Sequence, residues 1–308
     1  MSILVVGSVA FDSVKTPFGE RERILGGSAT YFSVAASFFT DVRVVAVVGE
    51  DFGPEEDAVF LDRNVDISDL ERVPGRSFFW SGEYGFDLNV AKTRDTQLNV
   101  FADFKPKLSD KARETPYLFL GNIQPQLQVE VREQVAAKLV AADTMNYWID
   151  TKRDELLKTL ARVRILLINE EEARQLTGEA VTHKAARAIL SMGPETVVVK
   201  MGEHGAFLQG KEVYFACPAF PVESVVDPTG AGDTFAGGFM GALARMGRVT
   251  DMNLRRAAIY GCVLASFAVE EFSVGGLLNL ERTEILRRAD AILAMSHVTL
   301  DNTARLLR

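Results

Sequence analysis

The sequence predicts an α/β protein whose core has three layers, with helices on both faces of a mostly parallel sheet. Short apolar segments rich in β-branched residues recur along the chain, and stretches of helical pattern separate them. Because these segments are continuously apolar instead of alternating, both faces of the sheet should be covered. The alternation of strands with helices favours parallel order. The predicted strands are residues 3–6, 42–48, 117–120, 147–149, 165–168 and 196–199.

A second, smaller sheet is predicted from residues 78–104. In this stretch aromatic or aliphatic residues alternate with polar ones, and turn-forming residues interrupt them, which is typical of antiparallel strands with one face in water. Together with residues 11–24, the stretch should form a β-sheet lid within a single domain that spans residues 1–308. Residues 282–307 carry leucines and arginines at helical spacing and are predicted to form an edge helix.

Composition and charge narrow the class of protein. The chain has 308 residues, of which 47% are hydrophobic and 25% are charged, as in ordinary folded proteins. Its formal net charge of -8 disfavours nonspecific binding to nucleic acid, which requires a basic surface. No stretch reaches the roughly 18 consecutive apolar residues of a membrane span, and the N-terminus lacks the basic start of a signal peptide. We therefore expect a cytoplasmic protein without membrane contact.

Cysteines and histidines do not form a recognisable metal site. Cys217 and Cys262 lie in apolar stretches without the spacing of zinc ligands, and we expect both to be buried thiols. The histidines His183, His204 and His297 are too few and too scattered for a histidine metal site. A catalytic histidine is not expected.

The segment VVDPTGAGDTFAGGF, residues 225–239, carries the most information about chemistry. Pro228 ends a short apolar strand, and Gly230, Ala231 and Gly232 offer small side chains where the backbone must approach another group closely. The apolar residues that follow have helical spacing, so a tight turn opens a helix. The first N–H groups of a helix are unpaired and lie at its positive end, so this glycine turn (residues 230–233) is predicted to bind phosphate.

Asp233 is unexpected in a phosphate-binding turn, because its carboxylate repels the ligand. One interpretation is a stabilising acid in the first turn of the helix. The other is a general base, which accepts the proton of a substrate hydroxyl as that oxygen attacks the γ-phosphate. The spacing to the glycines allows both roles within one turn.

The segment DPTGAGDTFAGGF, residues 227–239, resembles the C-terminal signature of the ribokinase-like, or PfkB, family of carbohydrate and nucleoside kinases. The resemblance implies a ribokinase-like fold, ATP as the phosphoryl donor and Mg²⁺ as its metal. It also implies that the backbone N–H groups of the glycine turn stabilise the transferring phosphoryl group and that Asp233 is the base. Asp227 and Thr229 match positions that hold a monovalent cation in several members, so K⁺ is a further predicted cofactor.

The resemblance extends over essentially the whole chain. LGGSATYFSVA, residues 25–35, is similar to the N-terminal signature, in which a Gly-Gly pair, here Gly26 and Gly27, opens a helix under the substrate. Asp12 matches the carboxylate that holds substrate hydroxyls, and a carboxylate can accept from two vicinal hydroxyls. From the residues alone, the glycines could instead cap a helix and Asp12 could be a turn aspartate.

Asn169 and Glu172 match the NxxE element of the family, which acts on magnesium and phosphate largely through water. Carboxylates suit a hard cation, and the alternative is a solvated helix start. Ser266 lies in a segment that resembles the wall of the adenine pocket.

VVKMGEHGA, residues 198–206, resembles the strand and turn beside the nucleotide phosphates and ribose. Lys200, Gly202 and Gly205 are therefore candidates for nucleotide binding, although Lys200 could be an ordinary surface lysine. Asn146 is a candidate for facing the substrate cleft, in a region that varies among family members. The lid supplies aromatic side chains that could form a wall for a base or sugar, or instead pack as lid core or a homodimer interface. These are Phe79, Trp80, Tyr84 and Phe86.

The sequence favours an ATP-dependent kinase that phosphorylates a hydroxyl of a small sugar or nucleoside. A catalytically silent regulatory protein that binds the same molecules is the main alternative, and Asp233 argues against it because a binder has no use for a base. A dinucleotide oxidoreductase is excluded because the glycines expected after Gly7 are missing. The family covers many hydroxyl acceptors, so sugars and nucleosides both remain candidates.

Overall fold

The computed structural model describes residues 1–211 and 213–296. Its strands fall into a nine-stranded main sheet and a four-stranded small sheet. Along the described residues the strands are β1 (Ser2–Val6), β2 (Ala10–Thr16), β3 (Gly19–Gly26), β4 (Asp41–Val48), β5 (Asp66–Arg72), β6 (Phe78–Tyr84), β7 (Ala91–Gln97), β8 (Tyr117–Leu120), β9 (Leu139–Ala142), β10 (Ile165–Asn169), β11 (Thr196–Lys200), β12 (Ala206–Gly210) and β13 (Tyr214–Cys217).

The main sheet has the order β13-β12-β11-β10-β9-β8-β1-β4-β5. Its pairs are parallel except those that β12 makes with β11 and with β13. This confirms the predicted mostly parallel sheet. Because the strands from β5 to β11 run the same way, their carboxyl ends lie along one edge of the sheet, where ligands of open α/β sheets bind.

One predicted strand is wrong. Residues 147–149 lie in a helix, Asn146–Thr151, and the strand of this region is β9. All four residues of β9 are buried between β8 and β10, as a central strand requires, whereas Tyr147 is 55% exposed. The two alanines of β9 have low strand propensity, whereas the aromatic pair after Asn146 has high strand propensity and led to the wrong prediction.

The helices cover both faces of the main sheet. Ile3 and Val5 pack in one hydrophobic cluster with Phe32 and Phe239, whereas the alternate residues Leu4 and Val6 pack in another cluster on the opposite face. The described helices are α1 (Ser28–Ala36), α2 (Pro54–Leu61), α3 (Asp110–Arg113), α4 (Pro125–Gln134), α5 (Asn146–Thr151), α6 (Arg153–Leu160), α7 (Glu170–Thr177), α8 (Thr182–Leu190), α9 (Ala231–Met246), α10 (Asp251–Ala268), α11 (Gly275–Leu278) and α12 (Arg282–Ser296), with short 3₁₀ turns at Asn99–Asp103 and Gly202–His204.

The small sheet has the order β3-β2-β6-β7 and is built from the two predicted stretches. The pair β6–β7 within residues 78–104 is antiparallel as expected. The pair β2–β3 is also antiparallel, whereas β2 pairs with β6 in parallel. The end of the second predicted stretch forms the 3₁₀ turn Asn99–Asp103 instead of strand. Every residue of the edge strand β7 is exposed.

Three further expectations concern the buried cysteines, the C-terminal helix and membrane-spanning segments. Cys217 and Cys262 are both buried and free, which confirms the predicted thiols. The predicted edge helix begins at Arg282 as α12, and residues 297–307 of that prediction, with His297, lie outside the described residues. None of the helices that the structure describes has the length and apolar character needed to span a bilayer.

Candidate active site

The glycine turn opens α9 at the carboxyl edge of the main sheet. Gly230 is its N-cap with φ +74°, and its carbonyl oxygen accepts the N–H of Thr234 at 2.8 Å. The N–H of Ala231 donates to the Pro228 carbonyl at 3.2 Å and is therefore already used. Of the predicted donors, those of Gly230, Gly232 and Asp233 have no acceptor among the described residues. Unpaired N–H groups at the start of a 16-residue helix are donors of the kind that bind anions, so the turn is the candidate phosphate site.

Tyr31 packs directly under this turn. It belongs to α1 and is 1% exposed, and a side chain at Gly230 would collide with its ring. Its hydroxyl has no hydrogen-bond partner among the described residues, although the carboxylates of Asp12 and Asp227 lie close enough to raise the pKa of Tyr31, which burial raises most. Sequence reasoning did not single out Tyr31, and the unpaired buried hydroxyl is visible only in three dimensions.

Asp12 lies in β2 and is buried where β3 meets α1. Its carboxylate leaves no room for a side chain at Gly26, and Gly27, the N-cap of α1, has φ +96°. The backbone N–H of Gly27 lies near the Asp12 carboxylate and opposes the rise of its pKa. Burial, with repulsion from Asp227 and Asp233, raises the pKa of Asp12 from 3.8 to about 8. Gly27 thus caps a helix and Gly26 makes room for the carboxylate, while the role of the pair in substrate binding stays a prediction.

Asp227 and Thr229 link the segment before the turn to the rest of the site. The short apolar strand predicted to end at Pro228 is wrong, because the N–H groups of Val226 and Asp227 both donate to the Val269 carbonyl after α10 instead of to a neighbouring strand. Asp227 is 1% exposed; its Oδ1 accepts the N–H of Thr229 at 2.8 Å and its Oδ2 that of Ser273 at 3.4 Å. Burial raises the pKa of Asp227, and no ion pair of the described residues involves it. The Thr229 hydroxyl donates to the Tyr84 hydroxyl at 3.2 Å, which ties the small sheet to this loop.

Asp233 faces a second group of charges on its other side. Burial first, and then the charge of Asp143, raises the pKa of Asp233 to about 7, although Lys200 opposes the shift. Asp143 directly follows β9 and binds Lys200, the last residue of β11, with 2.7 Å between Oδ2 and Nζ. Asp143 was missed by the sequence analysis; the available signal was its place as the first polar residue after a buried strand.

The NxxE element forms a capping box at the start of α7. Asn169 Oδ1 accepts the N–H of Glu172 at 2.8 Å, and Glu172 Oε2 accepts the N–H of Asn169 at 3.0 Å. Burial and the charge of Asp143 raise the pKa of Glu172, against the opposing charge of Lys200. The element is thus a helix start, but a buried one, with Glu172 beside the charges that surround Asp233.

Two other candidate glycines have positive φ angles that a side chain would strain. Gly202 has φ +54°, and a side chain there would collide with Asn89 in the loop between β6 and β7. Gly205 has φ +88°, and a side chain there would collide with the Cys217 carbonyl. The tip of the small sheet therefore touches the turn after β11.

Ser266 and Asn146 are not joined to this cluster by a contact. The Ser266 hydroxyl donates to the Val263 carbonyl at 2.6 Å and accepts from Arg288 at 2.8 Å. Asn146 is exposed at the start of α5, where its Oδ1 accepts the N–H of Tyr147. Their roles in binding stay predictions.

The aromatic side chains of the small sheet point to different surroundings. Tyr84 contacts the Thr229 loop, whereas Phe79 packs against the main hydrophobic cluster. Trp80 donates from Nε1 to the Thr93 hydroxyl at 3.2 Å, and Phe86 is 92% exposed. Of the four, Tyr84 is the one whose described contacts reach the site.

The chain matches the model of the pfkB family of carbohydrate kinases over residues 2–279. It belongs to this family. A relative, a cytidine kinase from Thermococcus kodakarensis, is 29% identical over 251 residues, which cover 80% of this chain and 89% of the relative.

Two solved structures share the PfkB fold of this chain. A nucleoside kinase from Burkholderia thailandensis in complex with inosine has a TM-score of 0.76 at 19% identity, covering 95% of this chain and 99% of that one. A putative ribokinase from E. coli in complex with ATP and Mg²⁺ has a TM-score of 0.75 at 18% identity, covering 94% and 99%. The ribokinase-like fold predicted from the sequence is confirmed, and this PfkB chain is an ATP-dependent carbohydrate or nucleoside kinase.

Proposed function

We propose that the protein transfers the γ-phosphoryl group of ATP to a hydroxyl of a sugar or nucleoside, with Asp233 as the general base. The observation that carries the proposal is that the Asp233 carboxylate and the unpaired N–H groups of the glycine turn share the first turn of α9. A base must lie beside the oxygen that attacks the phosphoryl group, and the phosphoryl group must lie beside its donors. A pKa of about 7 for Asp233 suits a base that works near neutral pH.

The acceptor is proposed to bind between α1 and the small sheet. Asp12 accepts hydrogen bonds from the hydroxyls of the acceptor, and Gly26 and Gly27 let the acceptor molecule lie against the backbone. The small sheet acts as a lid that excludes water. Water exclusion favours transfer to the acceptor over hydrolysis of ATP. A homodimer through the small sheet, whose edge strand β7 is exposed, stays a prediction.

The residues fit Mg²⁺ held mainly by the nucleotide. The described residues contain no cluster of three side chains able to bind a metal directly, and Mg²⁺ in kinases is commonly held by phosphates, water and one or two carboxylates. Glu172 would act on it through water, with the backbone N–H of Asn169 donating to the Glu172 carboxylate and fixing it. When bound, Mg²⁺ neutralises charge on the phosphates.

Asp227 and Thr229 are the proposed site of a monovalent cation. A buried carboxylate without an ion pair among the described residues suits such a cation. The rate of ADP formation should therefore be higher in K⁺ than in an equal concentration of tetramethylammonium. Equal rates would remove the cation from the proposal without affecting Asp233.

ADP release tests the proposed reaction. Wild-type protein with ATP and Mg²⁺ should release ADP faster with at least one acceptor from a panel of nucleosides, pentoses and hexoses. Asp233→Asn should lower kcat by about 100-fold or more, because it removes the base. Asp251→Asn is the matched control, since Asp251 is also an acid in the first turn of a helix, α10, and should leave kcat unchanged.

Two outcomes would contradict the proposal. Equal turnover by Asp233→Asn would remove Asp233 as the base. If no acceptor accelerates ADP release while one of them binds tightly in calorimetry, the protein is a sugar- or nucleoside-binding regulator instead of an enzyme.

A further inference from the structure

Asp143 and Lys200 form a buried ion pair across the carboxyl edge of the main sheet. Asp143 follows β9 and Lys200 ends β11, so the pair spans the end of β10, which lies between them. The Oδ2–Nζ distance is 2.7 Å, and the side chains are 5% and 15% exposed. Buried ion pairs seldom add stability over apolar residues of similar size, because both charges lose their hydration. Stability alone is therefore a poor explanation of this pair.

The protein fixes the Asp143 side of the pair. Asp143 Oδ1 accepts the N–H of Thr144 at 2.8 Å, and the Asp143 carbonyl accepts from Gln128 Nε2 at 3.1 Å. The N–H of Asp143 donates to the Leu120 carbonyl at 3.0 Å. Lys200 by contrast carries its charge on a flexible four-carbon chain. The carboxylate is thus the anchor, and the ammonium is the group that it places.

The ammonium is placed against the glycine turn. A Cβ at Gly232 would lie 3.0 Å from Lys200 Nζ and 3.7 Å from its Cε, so the glycine makes room for the lysine. An ammonium has three N–H donors, and the hydrogen bond to Asp143 is the one the described residues provide for it. Two donors are left beside the unpaired N–H groups of Gly232 and Asp233.

We propose that Asp143 is a positioning residue that holds the Lys200 ammonium at the glycine turn, so that lysine and turn bind the transferring phosphoryl group together. The inference rests on the proposed function and adds a residue that the family motif does not contain. Donors fixed in advance where negative charge develops stabilise a transition state, and a charged donor is stronger than an amide. Without Asp143, the ammonium would be free to leave this position.

A double-mutant cycle on kcat tests the coupling. Lys200→Met should lower kcat by about 100-fold, and Asp143→Asn by at least about 10-fold. The double variant should be no slower than Lys200→Met, because Asp143 acts through Lys200. The KM for the best acceptor of the nucleoside and sugar panel should stay within about twofold of wild type, since the pair faces the phosphoryl group.

Glu195→Gln is the matched control. It breaks the exposed Arg164–Glu195 ion pair, whose atoms lie 2.6 Å apart. This pair lies at the amino ends of the neighbouring strands β10 and β11, at the edge of the sheet away from the site. Its kcat should equal that of wild type. Circular dichroism melting of each variant separates loss of folding from loss of rate.

The proposal is overturned if Asp143→Asn melts at a lower temperature but keeps the wild-type kcat, or if the two kcat losses multiply in the double variant. Should Asp143→Asn fail to fold, Asp143→Glu keeps the charge but moves the ammonium, and a wild-type kcat in that variant would equally overturn it. Failure of wild-type protein to release ADP with any acceptor would overturn the proposed function and this inference together. A wild-type enzyme that works, with unchanged variants, overturns this inference alone.

Discussion

At the scale of single residues, the site holds carboxyl groups whose burial disfavours the ionised form and raises their pKa. The pKa of Asp12 rises from 3.8 to about 8, so the folded state favours the protonated form. The free energy of unfolding is therefore retained at pH 4 and falls as the pH rises toward 8, because Asp12 ionises more easily in the unfolded state than in the folded state. Asp12→Asn should raise the melting temperature at pH 8 and change it little at pH 4. Thermal melts at both pH values measure this.

Asp51 is the control of opposite sign for this prediction. Hydrogen bonds from Ser77 and the charge of Arg23 lower the pKa of Asp51 despite its burial. Its carboxylate therefore contributes stability above its ordinary pKa, and this stability is lost as the pH falls. Asp51→Asn should lower the melting temperature at pH 8. A loss for both variants at pH 8 would contradict the argument for Asp12.

Tyr31 gives a second residue-scale prediction. A buried hydroxyl without a partner costs about 1–3 kcal/mol, so Tyr31→Phe should not lower the free energy of unfolding of the protein without ligands. If the acceptor supplies the missing partner, the variant should show a KM for the acceptor several-fold above wild type. Tyr117→Phe is the control, since the hydroxyl of Tyr117 contacts Met1 at the other end of the parallel strands. A destabilised Tyr31→Phe with an unchanged KM would refute this role.

The sequence located some site residues and could not locate others. Asp227 and Asp233 belong to one local motif, and Asp12 was identified by its match to a position of the family. Asp143 lies 57 residues before its partner Lys200, and nothing in its own neighbourhood distinguishes it from any polar residue after a strand. Local pattern reveals a turn or a cap, whereas a contact between strand ends depends on the order of the strands.

At the scale of elements, the glycine turn depends on backbone conformation and on space at the same position. Gly230 has φ +74°, and a side chain there would also collide with Tyr31. Gly178 has the same φ of +74° at the end of α7, but a side chain there would meet nothing within 4 Å. Gly178→Ala should thus cost roughly 1 kcal/mol for conformation alone. Gly230→Ala should cost about 1–3 kcal/mol more.

Urea unfolding of both glycine variants measures the difference. Gly230→Ala should in addition lower kcat, because the collision shifts the turn amides, whereas Gly178→Ala should leave kcat unchanged. Equal losses of stability would show that Tyr31 yields to the new methyl group and that the turn is less tightly packed than its geometry indicates.

Secondary-structure elements could be predicted where a local run of apolar residues indicates a buried strand. The continuous apolar runs predicted β1, β4, β8, β10 and β11, and the turn before α9 was placed correctly. The strand β9 was missed, because two of its four residues are alanine and its identity comes from neighbours on both sides. The parallel pairing of β2 with β6 was also missed, because no local pattern encodes which distant strands meet.

At the scale of the whole molecule, the small sheet contacts both sides of the site. Near one end, the Thr16 hydroxyl of β2 donates to the Val226 carbonyl at 2.8 Å, just before the glycine turn. At the other end, Asn89 packs against Gly202 in the turn after β11. The small sheet thus contacts the protein both near the proposed acceptor-binding residues and near the proposed nucleotide-binding turn.

The contact at Asn89 gives a prediction about this bridge. If the small sheet is a lid, Asn89→Ala should loosen its tip, so that water reaches the site and ADP release without acceptor increases several-fold. The KM for ATP should rise as well, while the rate with saturating acceptor changes little, because the groups that perform the transfer lie elsewhere. Gln97→Ala, at the far end of β7, is the control and should behave as wild type. Unchanged acceptor-free ADP release in Asn89→Ala would show that the tip merely rests on Gly202, and that closure, if it excludes water, depends on the Tyr84–Thr229 side of the sheet instead.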